Sequence, residues 1–434
     1  MFALIFTCLY TSSDWVGWLT RGEPIRLDYI LVFGQANIYH LFAAFLFIIL
    51  VLKKLLPGNN GSLLGKNSYL KNIFLSYFFI VNPLIYLFVY INEITLNDLG
   101  VAPIVEFFVY LVTVYYIQDI YLKNKTIDQL NRALTIIEIF LLGRCFITIV
   151  KDFLGFVGTE FRPGRDKIGF ESDFSDFYIL LIIIALTRLL FNNYDTIKHK
   201  CLHFISIAAV SYVVVGSGRR YLWVEYIITL TIILYCHLRF NKLNINNNVI
   251  NLSFLTIIIL SSTIYVGFDK IVDNEYTGRL LTTLSIFDKS YESEYGTQQG
   301  HIAEIVDGWN NVKKSIFFGY TPFGQELMER VETATWQKGL FIHNAYLSVW
   351  IRYGLIGLTL FLLLYLKALQ TGYSVFIKFK NSTGLIIITF LICQMLKNIV
   401  WPTALTSCNI TIIYIFLISI GIKLEQLEKE RLNI

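Results

Sequence analysis

Eleven times along the chain a stretch of about 20 mostly apolar residues occurs, some reaching that length only with flanking polar or aromatic residues: at roughly 36–56, 70–92, 99–122, 134–154, 174–191, 200–217, 220–238, 249–268, 345–366, 384–400 and 407–422. That is the length of α-helix needed to cross the hydrocarbon core of a bilayer. In lipid every backbone amide has to be bonded within the protein, so runs of this kind fold as helices. A twelfth stretch, 2–19, is interrupted by Ser12, Ser13 and Asp14. It is expected to cross as well, with a half-span or interfacial helix as the other reading. The composition agrees, since only 15% of the residues are charged and 55% are hydrophobic. A soluble domain needs about a quarter charged residues to wet its surface, and a disordered chain needs low hydrophobicity and high net charge. Both classes are excluded. The expected fold is all-α, a polytopic membrane protein with 11–12 transmembrane helices forming one integral membrane domain over 1–434.

Short-loop lysines and arginines set the orientation. Lys53, Lys54, Lys66 and Lys71; Lys123, Lys125 and Arg132; Lys198 and Lys200; Arg239 and Lys242; and Lys367, Lys378 and Lys380 fall on one side of the alternation. The tail with Lys423, Lys429 and Arg431 joins them. That side, with the C-terminus, is expected to be cytoplasmic. No cleavable secretion signal is expected at the N-terminus, where a basic n-region is missing. The six cysteines form no C-x-x-C pair and read as apolar filler. A net charge of +5 is small for 434 residues, so no nucleic-acid partner is expected.

The opposite side departs from the rule, because three of its segments carry basic residues: 155–173 with Arg162, Arg165 and Lys167; the turn 216–220 with Arg219 and Arg220; and 269–342 with Arg279 and Arg330. The last exceeds 70 residues and is rich in Gly, Glu, Asp and Trp. A loop that long in a compact protein is usually functional. In Gly216-Ser217-Gly218-Arg219-Arg220 the guanidinium groups suit bidentate recognition of an anionic headgroup; snorkelling to lipid phosphates is the bland alternative. Asp173, Ser175 and Asp176 suit the N-cap and first turn of the next helix. His343 stands where the long loop meets a span, a position that capping or interfacial histidines also take. Gly354 and Gly357, further along that span, most simply permit close helix packing. No metal site is expected, since no ligand spacing of a known type occurs.

The stretch His343-Asn344-Ala345-Tyr346-Leu347, followed by Gly354-Leu355-Ile356-Gly357, resembles the H-N-x-x-L…G-L-I-G pattern of the bacterial O-antigen polymerase and O-antigen ligase superfamily of membrane glycosyltransferases. Thr277-Gly278-Arg279, Trp309 and Gly319-Tyr320-Thr321-Pro322-Phe323-Gly324 are similar to the loop elements that precede the histidine in that superfamily. Ser217-Gly218-Arg219-Arg220 is similar to its S-R pattern, with one extra Gly, so that either arginine is the equivalent. Arg165 through Phe170 resembles an earlier element whose usual P-N pair is absent here. By distance to Gly319 the loop-arginine position falls on Gly300-His301; by local wording it falls on Gly278-Arg279, which is preferred. Specific motifs cover about a tenth of the chain, and the topology extends the likeness to most of it.

The resemblance implies a polymerase that transfers a growing undecaprenyl-pyrophosphate-linked glycan onto a new lipid-linked repeat unit, outside the cytoplasmic membrane of a bacterium. Its substrate partner is the lipid-linked oligosaccharide, its solvent the lipid bilayer, and a chain-length regulator protein is an open partner. Diphosphate leaves readily, so the protein has to stabilise its charge and remove the acceptor's proton. The resemblance gives the first task to Arg219, Arg220 and Arg279, with Arg165 as a weaker candidate, and the second to His343, whose imidazole is partly neutral at working pH. Transfer is expected to be inverting and metal-independent, with no cofactor. Two alternatives stay open: a ligase transferring glycan to lipid A core, and a flippase or other transporter of lipid-linked oligosaccharide.

Overall fold

The computed structural model describes residues 38–55, 68–91, 102–153, 175–191, 196–216, 220–240, 297–319, 344–400 and 408–432. Among these residues the chain is all-helical, without a strand. The helices are α1 (Ile38–Leu55), α2 (Tyr69–Ser76), α3 (Asn82–Ile91), α4 (Ala102–Tyr115), α5 (Ile127–Phe153), α6 (Ser175–Phe191), α7 (Ile197–Gly216), α8 (Arg220–Phe240), α9 (Thr297–Lys314), α10 (Ala345–Tyr373), α11 (Ser382–Val400) and α12 (Cys408–Leu432). Single π-helical turns at Tyr77–Val81, Tyr116–Tyr121 and Ser374–Lys378 join α2 to α3 and extend α4 and α10.

Seven of the described helical stretches are long and apolar enough to cross a membrane: Tyr69–Leu87, Ile127–Val150, Ile197–Val214, Leu222–Phe240, Ala345–Lys378, Ser382–Ile399 and Ile410–Leu432. The chain is a membrane protein of the all-α class. Leu41–Lys53 and Phe107–Tyr121 are shorter apolar helices. Ten of the eleven apolar runs fall on helices; 249–268 and the stretch 2–19 lie outside the described residues. The ends differ from expectation. Helix α5 begins at Ile127, ahead of the run at 134–154, because Thr126 and Gln129 form a reciprocal capping box: Gln129 N donates to Thr126 Oγ1 (3.4 Å) and Thr126 N to Gln129 Oε1 (3.3 Å). Helices α10 and α12 continue well past 366 and 422, carrying their polar last turns into a network of side-chain bonds.

The π turn at Tyr77–Val81 has a local cause. Pro83 has no N–H and its ring crowds the carbonyl four residues back, at Phe79, so the helix widens by one residue where it would otherwise kink.

Two compact units divide the described helices: α1–α4, the first turn of α5 and α9–α12 in one, and the rest of α5 with α6–α8 in the other, the boundary falling between Asn131 and Arg132. In the first unit, Lys53, Lys71 and Lys423 gather at one end. Lys71 Nζ lies 2.6 Å from Asp119 Oδ1 and over the ring of Tyr115; Lys53 Nζ donates to the Asp119 carbonyl (3.0 Å), and Lys423 Nζ to that of Lys123 (2.9 Å). Gln118 ties this end together, accepting from Ser68 Oγ (2.7 Å) and donating to Ser419 Oγ (3.2 Å). The π turn of α4 carries both Gln118 and Asp119. In the second unit α6 is the core: every side chain from Asp176 to Leu190 is buried.

Candidate functional site

At the other end of the first unit, α9, the turn after it, α10 and α11 meet. Asn344, the second residue of the H-N pair, is the N-cap of α10: its Oδ1 accepts from Leu347 N (2.9 Å), and its Nδ2 donates to the Ile399 carbonyl near the end of α11 (3.2 Å). Tyr346 Oη donates to the Met395 carbonyl, one turn earlier (2.8 Å). Two residues of the motif thus clamp the start of α10 to the last turns of α11.

Nine residues into α10 the helix breaks. Gly354 takes φ 67° and ψ −175°, a conformation that is essentially glycine-only. The gap is filled by the turn following α9. Leu355 N donates to the Ile316 carbonyl (2.8 Å), and Trp350 Nε1 donates to the same oxygen (3.0 Å). Gly319, also at positive φ, closes that turn against the break: a Cβ on it would fall on Gly354 N and the Arg352 carbonyl, and one on Gly354 would fall on the Phe317 carbonyl. Sequence reading took Gly354 as a helix-packing glycine. It is instead the point where the turn after α9 inserts into α10. The Gly319 turn and the H-N…G pattern, 24 residues apart in the sequence, belong to one built junction.

An aromatic brace supports the break from below. Tyr77, on the π turn between α2 and α3, donates its hydroxyl to the Gly357 carbonyl and stacks on Phe107 at 4.7 Å. Tyr353 lies edge-on to both rings, at 5.8 and 5.2 Å. Arg352 stands half-buried in the turn before the break.

Helix α11 brings a polar stripe to the same end. Gln394, Lys397 and Asn398, spaced for one helix face, are all buried. Asn398 Nδ2 donates to Tyr365 Oη (2.8 Å), whose hydroxyl also bonds that of Tyr414 (3.1 Å). Sequence reading passed over this stripe within an apolar run. The signal was there, because an ionisable residue inside a span is a functional candidate by default.

The second unit holds a further buried group. Glu138 Oε1 lies 2.7 Å from His203 Nδ1 and accepts from Ser206 Oγ (3.3 Å); its Oε2 lies 3.6 Å from Arg188 Nη1, which also donates to Thr135 Oγ1 (2.7 Å). Glu138 and His203 are wholly buried. At the far end of this unit Thr148 and Tyr178 share a hydroxyl bond (2.7 Å), and so do Ser211 and Tyr226 (2.6 Å); Asp176, in the first turn of α6 as expected, and Glu225 are buried there. The connections α5–α6 and α7–α8 both emerge from that end.

Arg165 and Arg219 belong to those two connections. With His343 and Arg279 they lie outside the described residues. Arg220 is the first residue of α8 and His301 lies in α9, with only their backbone described. His343 directly precedes the Asn344 cap. Among the described residues no three His, Cys, Asp or Glu side chains group so as to hold a metal ion. Compared with known proteins, the chain matches no family model and no curated protein.

Proposed function

We propose that the protein is an O-antigen or similar surface-polysaccharide polymerase of a bacterial inner membrane. On this reading it has 11–12 transmembrane helices, the basic end of the first unit and the C-terminus are cytoplasmic, and the stretch 269–342 is a large periplasmic loop. One observation carries the reading: the residues of the H-N…G pattern and the Gly319 turn, 24 residues apart in the sequence, are parts of a single junction at the end of the unit opposite Lys53, Lys71 and Lys423. A membrane transferase working on lipid-linked glycan needs such a rim, where a loop is held rigidly above the headgroups next to its catalytic base.

His343 is the base in this mechanism. In the sequence it directly precedes Asn344, the cap that ties α10 to α11. The acceptor hydroxyl attacks the anomeric carbon of the donor glycan, the bond from that carbon to the diphosphate oxygen breaks, and the imidazole takes the hydroxyl proton. Arg219, Arg220, Arg279 and Arg165 balance the charge on the departing undecaprenyl diphosphate. His343→Ala is expected to abolish chain growth while leaving membrane insertion intact. The measurement is glycan length after incubating the reconstituted protein with lipid-linked repeat units and no ion gradient. Wild-type ladders from that variant would remove His343 from the chemistry.

The transporter reading keeps one observation of its own, the buried Glu138–His203 pair beside Arg188 inside helices long enough to span. Carboxylate–histidine chains of this kind carry protons in transporters. If the wild-type protein moves lipid-linked repeats between leaflets only under a proton gradient, and never lengthens them, that reading replaces the polymerase.

A further inference from the structure

Between its cap and its break, α10 carries two polar side chains that the junction does not use. Ala345, Ser348, Val349 and Arg352 are spaced for one helix face. It is a different face from that of Leu347, Trp350 and Ile351, which pack with Val312 of α9. Ala345 and Val349 are wholly buried, Ser348 is 6% exposed, and Arg352 at the end of the row is half-buried. Among the described residues, neither the Arg352 guanidinium nor the Ser348 hydroxyl has a hydrogen-bond or ion-pair partner.

Ser76, Ser211 and Thr359 each turn back onto the carbonyl four residues earlier, at 2.9, 2.7 and 2.8 Å. Ser348 has the Asn344 carbonyl in the same place, accepting from its N–H (2.9 Å), and keeps its hydroxyl off it. A buried hydroxyl left unmet is costly. The arginine beside it stays charged, in a stretch long and apolar enough to cross a membrane, where a cation needs an opposite charge. Both donors are held in place. Asn344 ties the segment 345–353 to α11 at one end; at the other, the Ile316 carbonyl takes Leu355 N and the Arg352 carbonyl packs on Gly319. A guanidinium and a hydroxyl one turn apart on a fixed backbone suit a ligand with several acceptor oxygens and negative charge.

We infer that Ser348 and Arg352 bind a phosphate group carried by a lipid, the guanidinium on two of its oxygens and the hydroxyl donating to another. The inference rests on the proposed function for one point, that the lipid is the glycan carrier and the phosphate part of its diphosphate. A phospholipid headgroup offers the same chemistry. Neither residue is among those that sequence reading gave to the diphosphate.

The test titrates the full-length protein in detergent with undecaprenyl diphosphate, phosphatidylglycerol and undecaprenol, read by native mass spectrometry. Arg352→Gln is expected to weaken diphosphate binding by about tenfold or more, as for the loss of one charge-assisted hydrogen bond. Ser348→Ala weakens it less, Arg352→Lys keeps part of it, and undecaprenol binding is unchanged in all three. A second arm needs no variant: in the wild-type protein undecaprenyl diphosphate is expected to shield Arg352 from phenylglyoxal, and undecaprenol is not. Phosphatidylglycerol that shields Arg352 as well as the diphosphate does, and is lost equally in the variants, assigns the pair to a headgroup. Unchanged diphosphate binding in the folded variants, or no shielding in the wild type, would overturn the inference. If the pair binds diphosphate in a protein that never lengthens glycan, the polymerase falls and the pair stands. If glycan grows while the variants bind as the wild type does, the pair falls and the polymerase stands.

Discussion

Gly354 carries more of the structure than its single hydrogen side chain suggests. It has to hold φ at 67° and admit the Phe317 carbonyl where a Cβ would stand. Gly354→Ala violates both requirements, and a strained backbone of this type costs on the order of 1–3 kcal/mol before the displaced turn is counted. The expected outcome is a fall of several degrees in the unfolding temperature in detergent, with freer motion of a label on the turn after α9. Little of this was legible in the sequence. Gly354 and Gly357 stood out, but a glycine in a span reads as a packing glycine, and its actual neighbour is a carbonyl 37 residues upstream. At the start of α10 the expectation was off by one residue: a capping role was weighed for His343, and Asn344 is the cap. An Asn immediately before an apolar run is a cap by its chemistry, and the pattern that drew attention to His343 owes half its letters to that cap.

At the scale of the element, the positions of the helices were legible and their ends were not. Apolar length decides where a helix crosses, because lipid offers the backbone no other partner. The ends are decided by polar residues that a hydropathy reading discards, such as Thr126 and Gln129 at the start of α5, or Ser374 donating to Glu425 (3.2 Å) beyond the expected end of α10. The group joining α5, α6 and α7 was missed for a related reason. Glu138, Arg188 and His203 lie 15 to 65 residues apart, and each looks like an isolated polar residue in its own run. Together they make a test. Glu138→Gln leaves the Arg188 cation buried without its counter-charge, and breaking one side of such a pair costs about 3–5 kcal/mol. Removing both charges, in Glu138→Gln with Arg188→Gln, is expected to recover much of that loss. A double-mutant cycle on thermal stability reads the coupling.

For the whole molecule, the two ends of the first unit give a direct prediction. Asn124, exposed beside the lysine-rich end, and Asn310, exposed on α9, are expected to lie on opposite sides of the membrane. In intact spheroplasts, a membrane-impermeant maleimide should react with Asn310→Cys and reach Asn124→Cys only after lysis, with native cysteines replaced in both. Labelling of both before lysis would refute the orientation. The junction at Gly354 bears on how such a protein could be altered. Residues 319 and 344 are both pinned to α10, separated along it by roughly ten residues, or about 14 Å. Everything between them begins and ends on one rigid bar, so the segment 320–343 is, in mechanical terms, a cartridge. A flexible linker of about five residues or more can bridge that gap, so replacing the segment should leave α10 and its partners folded. A segment taken from another protein needs only the same end-to-end distance to be tried in its place.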